Sequence, residues 1–164
     1  MNRYQLTLTP SQLSIKPYFG YRGKIRLFGL LALLLFGSLP FLRELIGYDL
    51  QCVGYLLGGC MVVYALYDFL FHLNVTFLFD KETASIYKIN APFYKKRLMG
   101  FEEMLIINSW ECGAMHYVIG RKGKQFLKNY SISDTFTDSK KSREREVAYI
   151  EEVLGPILDF VRNA

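Results

Sequence analysis

Residues 27–42 carry no charged side chain, and neither do residues 50–67. Only a short polar bridge with Arg43, Glu44 and Asp49 separates the two runs. A helix rises about 1.5 Å per residue, so about 20 residues cross a hydrocarbon core about 30 Å thick. Two apolar runs of that order, back to back, predict a transmembrane helical hairpin over residues 25–71. The first run is a little short, but Arg26 and Arg43 at its ends reach headgroups by snorkelling. Pro40 falls in its last turn, where a helix end is tolerated. The second run continues past Asp68 through Phe71, which puts Asp68 near the inner interface as a solvated or locally paired acid, with an ion-pathway carboxylate as the alternative. Tyr48, Tyr55, Tyr64 and Tyr67 supply aromatic anchors. Gly54 and Gly58 have the small-x-x-x-small spacing that lets helices approach closely in lipid. Their expected partner is the first run, through Gly29, Ala32 or Gly37; self-association through the hairpin is the alternative.

Charge gives the hairpin a direction. The chain has 164 residues and a formal net charge of +5. Arg3, Lys16, Arg22, Lys24 and Arg26 precede the first run, with no acid among residues 1–26. Positive flanks stay on the cytoplasmic side. Both termini are therefore expected in the cytoplasm, with the hairpin in the inner membrane. No nucleic-acid motif accompanies these cations, so no nucleic-acid partner is expected. The first run begins too late for a cleaved signal peptide and is expected to be retained. Cys52, Cys60 and Cys112 form no Cys-x-x-Cys pair, so neither a disulfide framework nor a zinc site is expected.

The remaining sequence alternates. Residues 4–9 and 12–16 read as strands around a Pro10-Ser11 turn. After the hairpin, strands are expected over 75–79, 85–89, 94–98, 104–110, 116–119 and 125–132. Turns fall at Asp80-Lys81-Glu82-Thr83, Asn90-Ala91-Pro92, Glu111-Cys112-Gly113-Ala114 and Arg121-Lys122-Gly123-Lys124. The period then changes. Val147, Ile150, Leu154, Ile157, Leu158 and Val161 recur at three- and four-residue steps and predict one apolar helix face. Asp138, Ser139 and Ser142 are candidate caps, and Gly155-Pro156 predicts a bend. The expected class is an α+β membrane protein. Residues 1–24 supply a strand pair to the soluble domain, 25–71 the hairpin, and 72–164 an antiparallel β-domain closed by an amphipathic helix.

The stretch Phe77-Leu78-Phe79-Asp80-Lys81-Glu82-Thr83-Ala84-Ser85-Ile86-Tyr87 resembles the strand, Asp-containing turn and strand that open pleckstrin-homology-like domains. Phe101-Glu102-Glu103-Met104-Leu105-Ile106-Ile107 is similar to their step into a central strand. With a strand pair before two spans, the layout resembles bacterial pleckstrin-homology-like two-span membrane proteins of the YcxB-like type. That resemblance implies a barrel-like sheet closed by the last helix and a role in binding. It carries over no functional residue by position.

No catalytic pattern emerges. His72 and His116 share no motif with a nucleophile, and a His116/Cys112 pair across a turn reads as structural. Ser109 lies outside a Gly-x-Ser-x-Gly elbow. Glu102-Glu103 reads as a solvated pair, Gly113 and Gly123 as turn glycines, and Trp110 as core. The expectation is a non-enzymatic protein with no cofactor and no metal. Its candidate partner or lipid contacts are Lys95, Lys96 and Arg97, with Arg121, Lys122 and Lys124. A third basic group holds Lys140, Lys141, Arg143 and Arg145. The expected function is a membrane-anchored binding or assembly module that engages a protein partner or anionic membrane lipid. One alternative is an immunity protein against a membrane-acting toxin, with Gly54, Gly58 and the second span as its toxin-facing surface. Another is an accessory subunit of a transporter or envelope complex.

Overall fold

The computed structural model describes residues 4–124 and 128–164, and the backbone alone of Arg43. The chain divides into two units, Gly20–Asn74 and Met1–Phe19 with Val75–Ala164.

Alternation builds the second of these. β1 (Gln5–Leu8) and β2 (Gln12–Lys16) meet at the Pro10-Ser11 turn, where the Thr9 hydroxyl donates to the Gln12 carbonyl at 2.7 Å. Leu13 and Ile15 on one face of β2 are fully buried. β2 then pairs antiparallel with β3 (Val75–Asp80), matching Gln12 with Asp80 and Ile15 with Phe77. The strand that precedes the helices is thus hydrogen-bonded to the strand that follows them. β4 (Ser85–Asn90) and β5 (Tyr94–Gly100) complete a five-stranded antiparallel sheet in the order β1-β2-β3-β4-β5. A 3₁₀ turn at Phe101–Glu103 leads to a second antiparallel sheet of β6 (Met104–Glu111), β7 (Ala114–Arg121) and β8 (Tyr130–Ser131). The expected strand over 125–132 is described only in part, since residues 125–127 lie outside the described residues. The described class is α+β with antiparallel sheets.

The C-terminal segment is helical from Lys140 to Arg162 but not uniform. α3 (Lys140–Tyr149) passes through a π turn at Ile150–Leu154 into α4 (Gly155–Arg162). Gly155 donates its N–H to the Ile150 carbonyl, five residues back. This wider turn comes just before Pro156, which has no N–H for a helical bond, so the proline opens a new helix instead of breaking one. Ser139 is the residue before α3, and the Ser142 hydroxyl accepts from the Thr137 N–H at 2.8 Å.

The buried face of this segment differs from the expected one. Ser142, Tyr149, Val153, Leu154, Ile157 and Phe160 are buried, whereas Val147, Ile150 and Leu158 are exposed. The expectation counted aliphatic residues and omitted the two aromatics. Tyr149 and Phe160 bring large rings to the core, and large rings dominate such packing. The core itself joins β2, β3, β4 and β7 to this helical segment through Leu13, Phe77, Phe79, Ile86, Ile119 and Ile157. Trp110 is not part of it: the ring is 67% exposed beside the β6–β7 turn, a correction to the expected core position. It stands opposite Met115, only one pair from the end of the ladder, where too little structure remains to cover an indole.

In the other unit, α1 (Tyr21–Ser38) and α2 (Arg43–Asp68) form a helical hairpin, and a π turn at Phe69–Leu73 extends α2. The bridge expected between the two apolar runs is itself helical. Only Gly47 interrupts it, at φ 68° and ψ 165°, a backbone state open to glycine. Among the described residues one helix, Glu44–Leu73, is long and apolar enough to cross a membrane. α1 holds Arg22, Lys24 and Arg26 in its first two turns, so its apolar part begins at Leu27.

The helices meet through Ala32, Phe36 and Leu39. A Cβ on Gly54 would lie 2.7 Å from Leu39 Cδ2, and one on Gly58 would lie 2.9 Å from Phe36 Cζ. Gly29 and Gly37, expected at this seam, have nothing within 4 Å of a Cβ position. Ala32 is buried. The seam is therefore large-into-small, with α1 supplying bulk and α2 supplying space. Ring pairs Phe28–Tyr64 at 5.1 Å and Phe36–Tyr55 at 6.0 Å complete it.

Candidate functional site

Sheet register sorts the candidate cations into two groups. Matched positions Gln5–Lys16, Val75–Asn90 and Asn90–Tyr94 define one end of the five-stranded sheet. The chain leaves for α1 and returns from α2 at this end. Leu8–Leu13, Asp80–Ser85 and Ser85–Gly100 define the far end. Along β3 the two ends are about 17 Å apart at about 3.3 Å per residue.

Lys95 and Lys96 lie near the helix-joining end, opposite Ile89 and Lys88. Lys95 Nζ sits over the Tyr87 ring, 4.6 Å from its centre. Arg97 follows, and a bulge at Leu98 shifts the register between Ile86 and Tyr87. β5 is the outer strand of its sheet. Three adjacent cations and a bulge keep such an edge from pairing with a copy of itself. This structural role accounts for Lys95, Lys96 and Arg97 without any partner, though cations on an open edge also favour an acidic one.

Arg121, Lys122 and Lys124 belong to the far end. An open cleft of about 580 Å³ lies there, lined by Thr83, Arg97, Gly100, Glu102, Glu103 and Arg121 among others. The 3₁₀ turn organises it. Phe101 donates its N–H to the Ala84 carbonyl at 3.0 Å, docking the turn on the β3–β4 hairpin. Glu103 Oε2 accepts from the Gly100 N–H at 3.2 Å, and Glu103 Oε1 takes the Arg121 guanidinium. The Glu103 carbonyl accepts from the Lys122 N–H at 2.8 Å, which fixes the β7 turn beside the cleft. The Arg121 hydrogen bond, helped by the Gly100 N–H, holds the Glu103 carboxyl below its usual range. Arg97 makes no ion pair within 4 Å among the described residues, but its charge also helps lower the Glu103 carboxyl.

Two candidate cations from different sheets, Arg97 and Arg121, thus line one cleft. Lys95 and Lys96 are not among its lining residues. Glu102 and Glu103, read from sequence as a solvated pair, divide: Glu103 is an organising residue and Glu102 lines the cleft. Thr83, the other polar side chain there, donates to Asp80 Oδ2 at 2.9 Å and accepts from the Tyr87 hydroxyl at 3.3 Å. Its proximity to Arg121 comes from non-local pairing and has no local signal. The arrangement can bind a carboxylate or similar anion.

The other candidates fall elsewhere. His116 stands opposite Ser109 in the β6–β7 ladder, while Cys112 occupies the exposed turn at φ 49°. Asp68 is 2% exposed and bonds His72 Nδ1 at 2.8 Å one turn on. Of the third basic group, Arg143 pairs with Asp138 at 3.4 Å and Arg145 donates to the Ser142 hydroxyl at 3.1 Å.

No family model, curated protein or solved structure matches the chain.

Proposed function

We propose that this protein is a membrane-anchored, non-enzymatic binding module, with α1 and α2 as a two-span hairpin and the β-unit as its cytoplasmic recognition domain. The observation that carries the anchor is the exposure of the apolar helices. A core helix of a water-soluble protein is mostly covered, yet only 11% of the most apolar stretch of Glu44–Leu73 is buried. Leu33, Leu56 and Val63 point outward from the hairpin. So broad an apolar surface is unstable in water and stable in lipid. The short first span is served by Arg26 at its end, as snorkelling allows. Two spans return the chain to the side it left, in keeping with β2–β3 pairing. Arg22, Lys24 and Arg26 support a cytoplasmic location for that side.

The recognition surface is the far-end cleft, and the partner is a protein segment with an exposed acidic group that meets Arg97. Its two sheets and closing helix suit the pleckstrin-homology-like barrel that the sequence resembles. Tethering raises the local concentration of the domain, so a weak contact suffices. Gly54 and Gly58, which the immunity reading places against a toxin, are covered by Phe36 and Leu39. Leu56 and Val63 of the second span remain exposed, so the immunity and accessory-subunit readings stand as alternatives.

Two measurements test it. After alkaline carbonate extraction of native membranes, the full chain should stay with the lipid pellet; release into the supernatant would remove the anchor. A photocrosslinker at position 122 should give a discrete protein adduct that disappears in Arg97→Glu. An adduct that survives Arg97→Glu unchanged would remove the cleft.

A further inference from the structure

We propose that the turn joining β4 to β5 is a second membrane contact, a shallow anchor that lies in the headgroup layer of an anionic leaflet. The inference rests on the membrane reading above and extends it to the β-unit.

Three observations place the contact. First, the turn at 91–93 is at the helix-joining end of the sheet, since Asn90 matches Val75 and Tyr94 matches Asn90. The connections there are short: β2 ends at Lys16 and α1 begins at Tyr21, while the π turn ends at Leu73 and β3 begins at Val75. Both chain connections to the apolar helices thus leave the sheet from the end that carries this turn. Second, its composition is that of an interfacial anchor. Phe93 is 55% exposed and Tyr94 45% exposed, and exposed Lys95 and Lys96 follow directly. Residues 91–97 contain no acid. Aromatic rings favour the headgroup level, and adjacent lysines favour anionic lipid. Third, the far-end turns of the same sheet lack both features. Pro10-Ser11 is neutral, and Lys81-Glu82-Thr83-Ala84 has balanced charge and no ring. The attraction of an anionic surface fades over a Debye length of about 8 Å in physiological salt. Lys95 and Lys96 lie within that reach of the helix-joining end, one and two residue steps along the ladder. Arg121 and Lys122, at the far end, lie beyond it. Of the candidate cations, Lys95 and Lys96 follow this turn directly, while Arg97 and Arg121 line the cleft.

The test uses the full chain in vesicles of phosphatidylcholine with or without phosphatidylglycerol. Trp110→Phe removes the single native tryptophan. Reporters are then introduced one at a time as Phe93→Trp, Leu56→Trp and Lys122→Trp, and quenched by lipids brominated near the headgroup or deep in the acyl chain. The expected result is blue-shifted Phe93→Trp emission quenched by shallow bromines, and Lys122→Trp emission that is not quenched. Adding Lys95→Gln and Lys96→Gln should weaken the Phe93→Trp quenching in anionic vesicles. Solvent-like, unquenched Phe93→Trp emission beside a quenched Leu56→Trp would overturn this inference and leave the anchor standing. Equal quenching at positions 93 and 122, or no dependence on phosphatidylglycerol, would overturn it too. A blue shift at position 93 that needs an added protein would reassign the turn to a protein partner. An unquenched Leu56→Trp would overturn both readings.

Discussion

The Tyr117 hydroxyl donates to Glu146 Oε1 at 3.1 Å, tying the middle of β7 to α3. The Tyr117 ring stacks on Tyr149 with centres 5.5 Å apart, and the Tyr149 hydroxyl donates to the Ile132 carbonyl at 3.0 Å. Tyr4 joins from the opposite end of the chain: its ring lies 4.8 Å from Tyr149, and its oxygen accepts from the Asp134 N–H at 3.1 Å. Three buried rings with satisfied hydroxyls thus fasten the helical segment to the strands. Buried hydroxyls are stabilising only when so paired.

Alkaline pH should loosen this fastening. Burial, then the Glu146 carboxylate, pushes the Tyr117 hydroxyl up to about 12, and burial also raises Tyr149. In the unfolded chain both lose their protons near pH 10. Above that pH the unfolded state binds fewer protons than the folded state, so stability falls as pH rises. Denaturant midpoints measured in detergent should be level below about pH 9 and decline between about pH 10 and 12. Tyr117→Phe should make the decline shallower.

The Glu103–Arg121 pair responds to acid in the opposite sense. Glu103 is held below the ordinary glutamate range, so its stabilising effect is complete above about pH 4.3 and fades as pH falls through the lower folded value. A carboxyl-carbon titration by NMR should give Glu103 a midpoint below the usual glutamate value. Arg121→Gln should raise this midpoint and speed amide exchange at Lys122. A Glu103 midpoint unchanged by Arg121→Gln would mean that the ion pair does not form.

The helix seam predicts a ranking of glycine substitutions. Gly58→Val must displace the rigid Phe36 ring, and Gly54→Ala must displace only the branched end of Leu39. Gly59→Ala enters open space. Overpacking costs about 1–3 kcal/mol at a close seam. Gly58→Val should therefore lower the thermal midpoint in detergent most, Gly54→Ala less, and Gly59→Ala hardly at all. Equal effects at 58 and 59 would place the seam elsewhere.

Lys81 secures the end of α4. Its Nζ donates to the Asn163 carbonyl at 3.0 Å and sits 4.6 Å from the centre of the Phe160 ring. A cation at a helix C-terminus and one over a ring each contribute about 0.5–1 kcal/mol when exposed. Lys81→Met should destabilise the protein by about 1 kcal/mol. It should also raise amide exchange over residues 161–163 more than in α3. Uniform exchange along the whole segment would argue against a local clamp.

Much of the secondary structure is legible in the residues. Alternation marks Gln12–Lys16 and Val75–Asp80, and the Pro10-Ser11 turn sets the first hairpin. Unbroken apolar runs mark α1 and α2, although composition does not reveal that the polar bridge is itself helical with a kink at Gly47. The buried face of the last helix is less legible, because the aromatic rings of Tyr149 and Phe160 carry it while Val147, Ile150 and Leu158 stay exposed. Tyr149, Val153, Ile157 and Phe160 recur at three- and four-residue steps as the buried stripe. Trp110 reads as core because a large ring in a strand usually packs, and its nearness to the ladder end is not a property of its own neighbours.

The cleft was legible only as ingredients. Arg97 and Arg121 were both visible as cations, but nothing local says that they share a cleft or that Lys95 and Lys96 do not. Periodicity and hydropathy act between residues a few positions apart, so the sequence by itself determined the strands, the apolar helices and their polarity of charge. Which residues become neighbours depends on register between distant strands. β2–β3 pairing across the helical insertion, the 3₁₀ turn docked on Ala84 and the Glu103 bond to Arg121 are all such pairings. Those contacts form only after chain closure brings far positions together, and they alone decided where the candidate site lies.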